Sequence, residues 1–304
     1  MERLRRREFV ALLGGAVPAA GAAQRAEVRL SIGTYGMKTV PTETALRAIA
    51  GIGFDGVELC LRQGWPADAA RMTAGERSAI RRVLDETGLT VAAVMDDLVL
   101  RGTPQSRASN AERIKLAAGV THELARGKPA CMDTMLGLKT AEWESRKVAM
   151  AAELRGWAEL AEREDFVIGV KPHAGQAMDT PEKAVWMMEQ VASPRIRLIY
   201  DYSHMRVGGF GLAASLRKLL PYTAMITVKD AKGTPEHFEF LLPGDGDTDY
   251  KEYARLLGEL GYRGFVNAEV SAMVFGKPGY DPMAAARVCY GRMAPVFAAI
   301  RRRG

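Results

Sequence analysis

The chain has 304 residues, 48% of them hydrophobic and 26% charged, with a formal charge of +6. That length suits one large folded domain, and past the first two dozen residues no apolar run reaches the length of a membrane span. The charge is terminal: residues 1–22 carry a net +2 and Arg301–Arg303 a further +3, which leaves +1 for the body, too little for a nucleic-acid-binding face.

Residues 1–23 read as a targeting segment. Arg6-Arg7-Glu8-Phe9 precedes the apolar run VALLGGAVPAAGAA, and Ala20-Gly21-Ala22 is a small-residue stretch suited to cleavage. This twin-arginine pattern predicts export to the periplasm or cell envelope. Residues 27–304 are expected to form the folded domain.

Strands and helices then alternate in units of about thirty residues, the length of a βα module. The strand candidates are VRLSIGTYG (28–36), GVELCL (56–61), LTVAAVM (89–95), PACMDTM (129–135), FVIGVK (166–171), IRLIYD (196–201), AMITVKD (224–230) and FVNAEV (265–270). Most are continuous apolar runs, as parallel strands covered on both faces require. Helical patterns lie between them, among them TAGERSAIRRVLDETG and PEKAVWMMEQVA, with start signals such as Thr180-Pro181, and MAAARVCYGRMAPVFAAI follows the last strand. Eight strands with alternating helices predict a closed (β/α)8 TIM barrel. An open doubly wound sheet is the alternative, but no Gly-rich phosphate loop follows the first strand. The three cysteines have no metal-type spacing, and Cys60 and Cys131 are expected in the core.

A barrel places catalytic groups at the carboxyl ends of its strands. Charged side chains there are costly to desolvate unless they pair, bind or react. Glu58, Asp133, Lys171, His173, Asp201, His204, Lys229, Asp230 and Glu269 all fall near such ends. Some also have plainer readings. Glu58 sits mid-strand and can pair with a neighbouring cation, Asp133 reads as a turn cap, and Asp230 as a loop residue orienting Lys229 or an amide. His122 and His237 are expected to be surface or structural residues. The Arg101–Arg107 loop, the Trp65 region and Met273-Val274-Phe275 are expected to shape the pocket, the last as a lid or an interface.

The segments Lys171-Pro-His173, Asp201-Tyr-Ser-His204, Val228-Lys229-Asp230, LPGDGDTDY (242–250) and the Glu269 strand resemble the xylose isomerase-like barrel family of sugar isomerases and epimerases. The resemblance covers nearly all of the mature chain. It implies one divalent metal held by Glu, Asp, His and Glu from strands five to eight. Asp201 and Glu269 match that set, whereas Lys171 stands in the place of the first Glu and Thr227 in that of the His. With only Asp201 and Glu269 left, a divalent ion has lost charge and ligands. The expectation is that the Lys171 ammonium lies against these two acids in the ion's stead. A plugged, silent site and a metal rescued by His173 or His204 are the other readings.

What the resemblance implies is an isomerase or epimerase removing a proton next to a carbonyl of a small carbohydrate. Glu269 is the expected base, with Glu58 second. Lys171 or Lys229 would polarise the carbonyl, and His173, His204 and Asp230 would bind substrate. The same groups could serve a keto-sugar lyase or dehydratase, and a non-catalytic carbohydrate-binding barrel is a further alternative. A nuclease of the endonuclease IV branch needs a His-rich zinc cluster, which four histidines, two of them poorly placed, do not supply.

Overall fold

The computed structural model describes residues 27–301, and the leader-like segment lies outside them. Eight parallel strands close into a barrel: β1 (Glu27–Gly33), β2 (Gly56–Cys60), β3 (Thr90–Met95), β4 (Cys131–Thr134), β5 (Ile168–Val170), β6 (Ile196–Asp201), β7 (Thr223–Val228) and β10 (Arg263–Ala268). Each strand pairs with its neighbours in sequence, and β10 closes the ring on β1 from Glu27 opposite Arg263 to Ile32 opposite Ala268. The hairpin β8 (Asp230–Thr234) and β9 (His237–Leu241) follows β7 and pairs only with itself.

The outer layer comprises α1 (Thr42–Ile52), α2 (Ala74–Thr87), α3 (Pro104–Leu124), α4 (Trp143–Arg163), α5 (Pro181–Val191), α6 (Tyr202–Val207), α7 (Leu212–Leu219), α8 (Tyr250–Glu259), α9 (Ala272–Phe275) and α10 (Pro282–Phe297). Local chemistry starts and stops them. Thr73 and Glu76 cap α2 reciprocally, and Gly88 ends it at φ 74°, a left-handed turn that glycine takes without a Cβ clash. Thr180 caps α5 with Pro181 in its first turn. The strand side chains are buried on both faces, so β2 is buried throughout. A large apolar cluster joins the strands to the helix ring.

The eight barrel strands fall where the apolar runs predicted them, with ends shifted by a few residues. The first strand stops at Gly33, because Thr34–Met37 turns into a 3-10 helix. Two elements went unread. Asp230 opens a hairpin instead of a loop, and α6 begins immediately after Asp201. The Arg101–Arg107 segment is no pocket loop: Thr103 caps α3 and the chain is helical from Pro104.

Candidate active site

Five charged side chains alternate in sign across the carboxyl ends of β4, β5, β6, β7 and β10. Asp133 Oδ2 lies 2.9 Å from Lys171 Nζ, and Lys171 Nζ lies 2.5 Å from Glu269 Oε2. Glu269 Oε1 is 2.9 Å from Lys229 Nζ, which also contacts Asp201 Oδ2. All five are buried, at 1–7% exposure. The backbone sets this order, because β4, β5, β6, β7 and β10 are successive barrel neighbours. Lys171, Lys229 and Glu269 each follow their strand directly, and the Glu269 N–H donates to Val228 O at 3.0 Å.

The partners of each acid differ. Both oxygens of Glu269 are held by ammonium groups. Burial alone would raise its carboxyl, but Lys171 and Lys229 hold it far below the ordinary range. Asp201 accepts the Ser203 N–H at 3.0 Å and the Ser203 hydroxyl at 2.6 Å through Oδ1, besides Lys229 on Oδ2. Asp133 meets one close cation. Its carboxyl is pushed up to about 6 by burial, which outweighs the opposing pull of Lys171. For Lys171, burial acts to lower the ammonium, but the surrounding acids, Asp133 and Glu269 first, raise it well above its ordinary value.

Two neutral histidines stand beside this chain. His173 Nδ1 lies 2.7 Å from the carbonyl oxygen of Ala174, which can only accept, so Nδ1 carries the hydrogen and Nε2 keeps its lone pair. Burial and then Lys229 lower the His173 imidazole to about 4. His204 accepts the Ala174 N–H at Nδ1 and lies 3.1 Å from Lys229 through Nε2. Burial and the neighbouring His173 put its imidazole well below the usual value. The rings are 3.9 Å apart, and Phe240 packs edge-on to His204 with its ring 4.7 Å from Lys229 Nζ.

These groups open onto a cavity of about 240 Å³, large enough for a small sugar or keto acid. Asp133, Lys171, His173, His204, Lys229 and Glu269 all line it. One wall is Tyr35, stacked on Trp65 at 5.5 Å with the Arg62 guanidinium 5.1 Å from its ring. Beside it lie α9, whose Phe275 packs edge-on to Tyr35 at 5.0 Å, and β9, joined to α9 where Phe240 N–H meets Met273 Sδ at 3.3 Å and, just past α9, where Lys277 reaches Glu239 at 2.5 Å. Met273 therefore lies on a wall of the cavity.

Several expected residues serve other purposes. Lys171 touches Glu269 as expected, but its second acid is Asp133, because Lys229 from the adjoining strand already occupies Asp201. Asp133 is not a turn cap; it points into this charged chain from within β4. Glu269, the expected base, has both carboxylate oxygens against ammonium groups. Asp230 is fully buried and holds the 242–250 loop, accepting the N–H groups of Gly244 at 2.7 Å and Thr248 at 3.3 Å, and it does not line the cavity. Glu58 does not line it either. Glu58 Oε2 accepts Asn267 Nδ2 at 2.9 Å, while Oε1 has no hydrogen-bond partner, and burial followed by the Asp133 charge raises its carboxyl well above the usual range. Gly33 makes room for it, since a Cβ there would lie 2.7 Å from Glu58 Oε2. Thr227 is fully buried with its hydroxyl unpartnered.

The side chains do not fit the family's metal. Among the described residues no three His, Cys, Asp or Glu side chains converge to hold an ion. The acids that remain are separated by ammonium groups, each already placed where a cation would bind.

The fold and this polar mouth define a (β/α)8 barrel with its site at the carboxyl rim. Residues 46–287 match the xylose isomerase-like TIM barrel family, and the chain belongs to that family. A putative hydroxypyruvate isomerase of Homo sapiens is 24% identical over 246 residues, spanning 74% of this chain and 82% of the relative. The fructoselysine 3-epimerase of Escherichia coli O157:H7 is 22% identical over 256 residues, spanning 81% and 91%. The crystal structure of IOLI protein with a binding zinc atom superposes with a TM-score of 0.73 at 15% identity, covering 90% of this chain and 99% of that one. Relatives of the chain thus include isomerases and epimerases, and an inosose dehydratase is among them.

Proposed function

We propose that the protein is an isomerase or epimerase of small keto-sugars or related hydroxy-ketones, in which Lys171 and Lys229 supply the positive charge that a divalent ion supplies in metal-bearing relatives. The observation that carries this reading is the Lys171 ammonium held between Asp133 and Glu269 at the cavity wall. A substrate carbonyl oxygen entering the mouth accepts a hydrogen bond from an ammonium. The enediolate formed after proton loss then has its oxyanion stabilised by a preorganised cation in a poorly solvated site. His173 presents an Nε2 lone pair to accept a substrate hydroxyl, and Phe238, Phe240 and Tyr35 exclude water from one side. Glu269 acts as the spacer that fixes the two ammonium groups.

Solvent-deuterium incorporation into hydroxypyruvate and a panel of keto-hexoses tests the reading. Chelator-treated protein is expected to exchange the substrate's carbon-bound hydrogen at the untreated rate. Exchange abolished by chelation and restored by a divalent metal would overturn the lysine reading. Binding without exchange in any sugar would favour a carbohydrate-binding barrel, and loss of water from the product a dehydratase. The leader-like segment belongs to the same proposal as an export signal, and mature protein in the periplasmic fraction, shortened at its N-terminus, is the expected outcome.

A further inference from the structure

Three acids, Asp133, Asp201 and Glu269, share the mouth with two ammonium groups, Lys171 and Lys229. The nearby cations cannot balance the difference, because Arg62 pairs with Asp97 and Arg113 with Asp96. The two histidines are held neutral by burial. The buried chain therefore has one more acid than base, and an uncompensated buried carboxylate is far costlier than a protonated one. The acid with the fewest donors is the one whose carboxylate takes up a further proton most readily. Glu269 has two ammonium partners, and Asp201 has one ammonium and two donors from Ser203. Asp133 has Lys171 alone. Of these three acids only Asp133 and Glu269 reach the cavity, and both oxygens of Glu269 are taken.

We infer that Asp133, at the end of β4, is the catalytic residue that removes and returns the substrate proton. This rests on the isomerase reading of the same site. In the step the Asp133 carboxylate takes the hydrogen on the carbon next to the carbonyl. The C–H electrons become the new C=C bond, and the carbonyl π electrons move to the oxygen held by Lys171. Asp133 then returns its proton to the neighbouring carbon while the adjoining hydroxyl passes its hydrogen to the oxyanion, so nothing is oxidised or reduced overall. The groups facing Asp133 are Lys171 from the end of β5, Glu269 from β10, Lys229 from β7 and Glu58 from β2. Their balance with burial leaves its carboxyl near neutrality, where a group can serve as base and acid in turn.

Two measurements on the full chain test this. With a sugar that the wild type exchanges, Asp133→Asn is expected to lower exchange at least about a hundredfold, and Asp133→Glu to retain part of it with a shifted pH profile. Asp133→Asn exchanging at the wild-type rate would overturn the inference and leave the isomerase reading standing. Separately, in protein carrying 13C-carboxyl aspartate, the resonance absent from Asp133→Asn is expected to titrate near pH 6. A resonance for Asp133 that stays ionised from pH 4 to 8 would overturn the assignment, including in the case where the wild type exchanges no sugar and the isomerase reading itself falls.

Discussion

At the barrel mouth each acid of the charged chain meets an ammonium, whereas Glu58, within β2, meets only the amide of Asn267. The same chemical group is consequently driven in opposite directions, Glu269 far below and Glu58 well above its usual range. Both acids are buried, so what separates them is the cations beside them: two ammonium groups reverse for Glu269 the upward push that burial leaves standing for Glu58. A fixed charge survives where two strands each deliver a lysine. Inside the strand wall, Ser31, Asn267 and Glu58 form a polar cluster linked by hydrogen bonds, and there burial raises the carboxyl against the weaker pull of Lys171.

The strongest way to break the comparison is to remove a cation from the paired region. Lys171→Met leaves Asp133 and Glu269 as neighbouring buried acids, and a cost of about 3–5 kcal/mol is expected in chemical denaturation at pH 7. A loss below about 1 kcal/mol would mean that the mouth tolerates unpaired acids as the interior does. The histidines sharpen it next. His173 is lowered to about 4 in the fold against an ordinary value of 6.5, so the unfolded chain binds a proton that the folded one refuses. The contribution of His173 is therefore complete above pH 6.5 and is lost as pH falls towards 4. The urea midpoint of the wild type relative to His173→Gln should decline between pH 7 and pH 4.5, by at most about 3 kcal/mol in free energy. A constant difference would refute the neutral, buried assignment. Glu58→Gln gives the smallest expected effect. A neutral carboxylic acid and an amide are close in shape, so stability should change by less than about 1 kcal/mol at pH 6. A large loss would show that Glu58 carries a charge which the fold depends upon.

The mouth was partly legible beforehand. Lys171, Lys229, His173, His204 and Glu269 line the cavity because each lies within a few residues of a strand end, and strand ends are readable from apolar runs. The role of Asp133 is less legible. Its strand is only four residues long, Cys131–Thr134, so the sequence around it fits a turn cap as well as a place in the barrel wall. Asp230 does hold backbone amides, as its plainer reading has it, but not substrate: the hairpin it opens has only two short, partly polar strands, and the loop it anchors lies more than ten residues downstream.

The amino-acid sequence alone determined the barrel, since eight apolar runs spaced by amphipathic helices have few other ways to bury themselves. It also settled which residue types would crowd the carboxyl rim. Which lysine meets which acid was decided only by closure of the ring. Chain order brings Lys229 of the adjacent β7 to Asp201 and leaves Lys171 to bridge Asp133 and Glu269, residues 133 and 269 being far apart in sequence. Pairing of that kind depends on distances of a few ångströms between side chains from different strands, and no spacing along one chain encodes them.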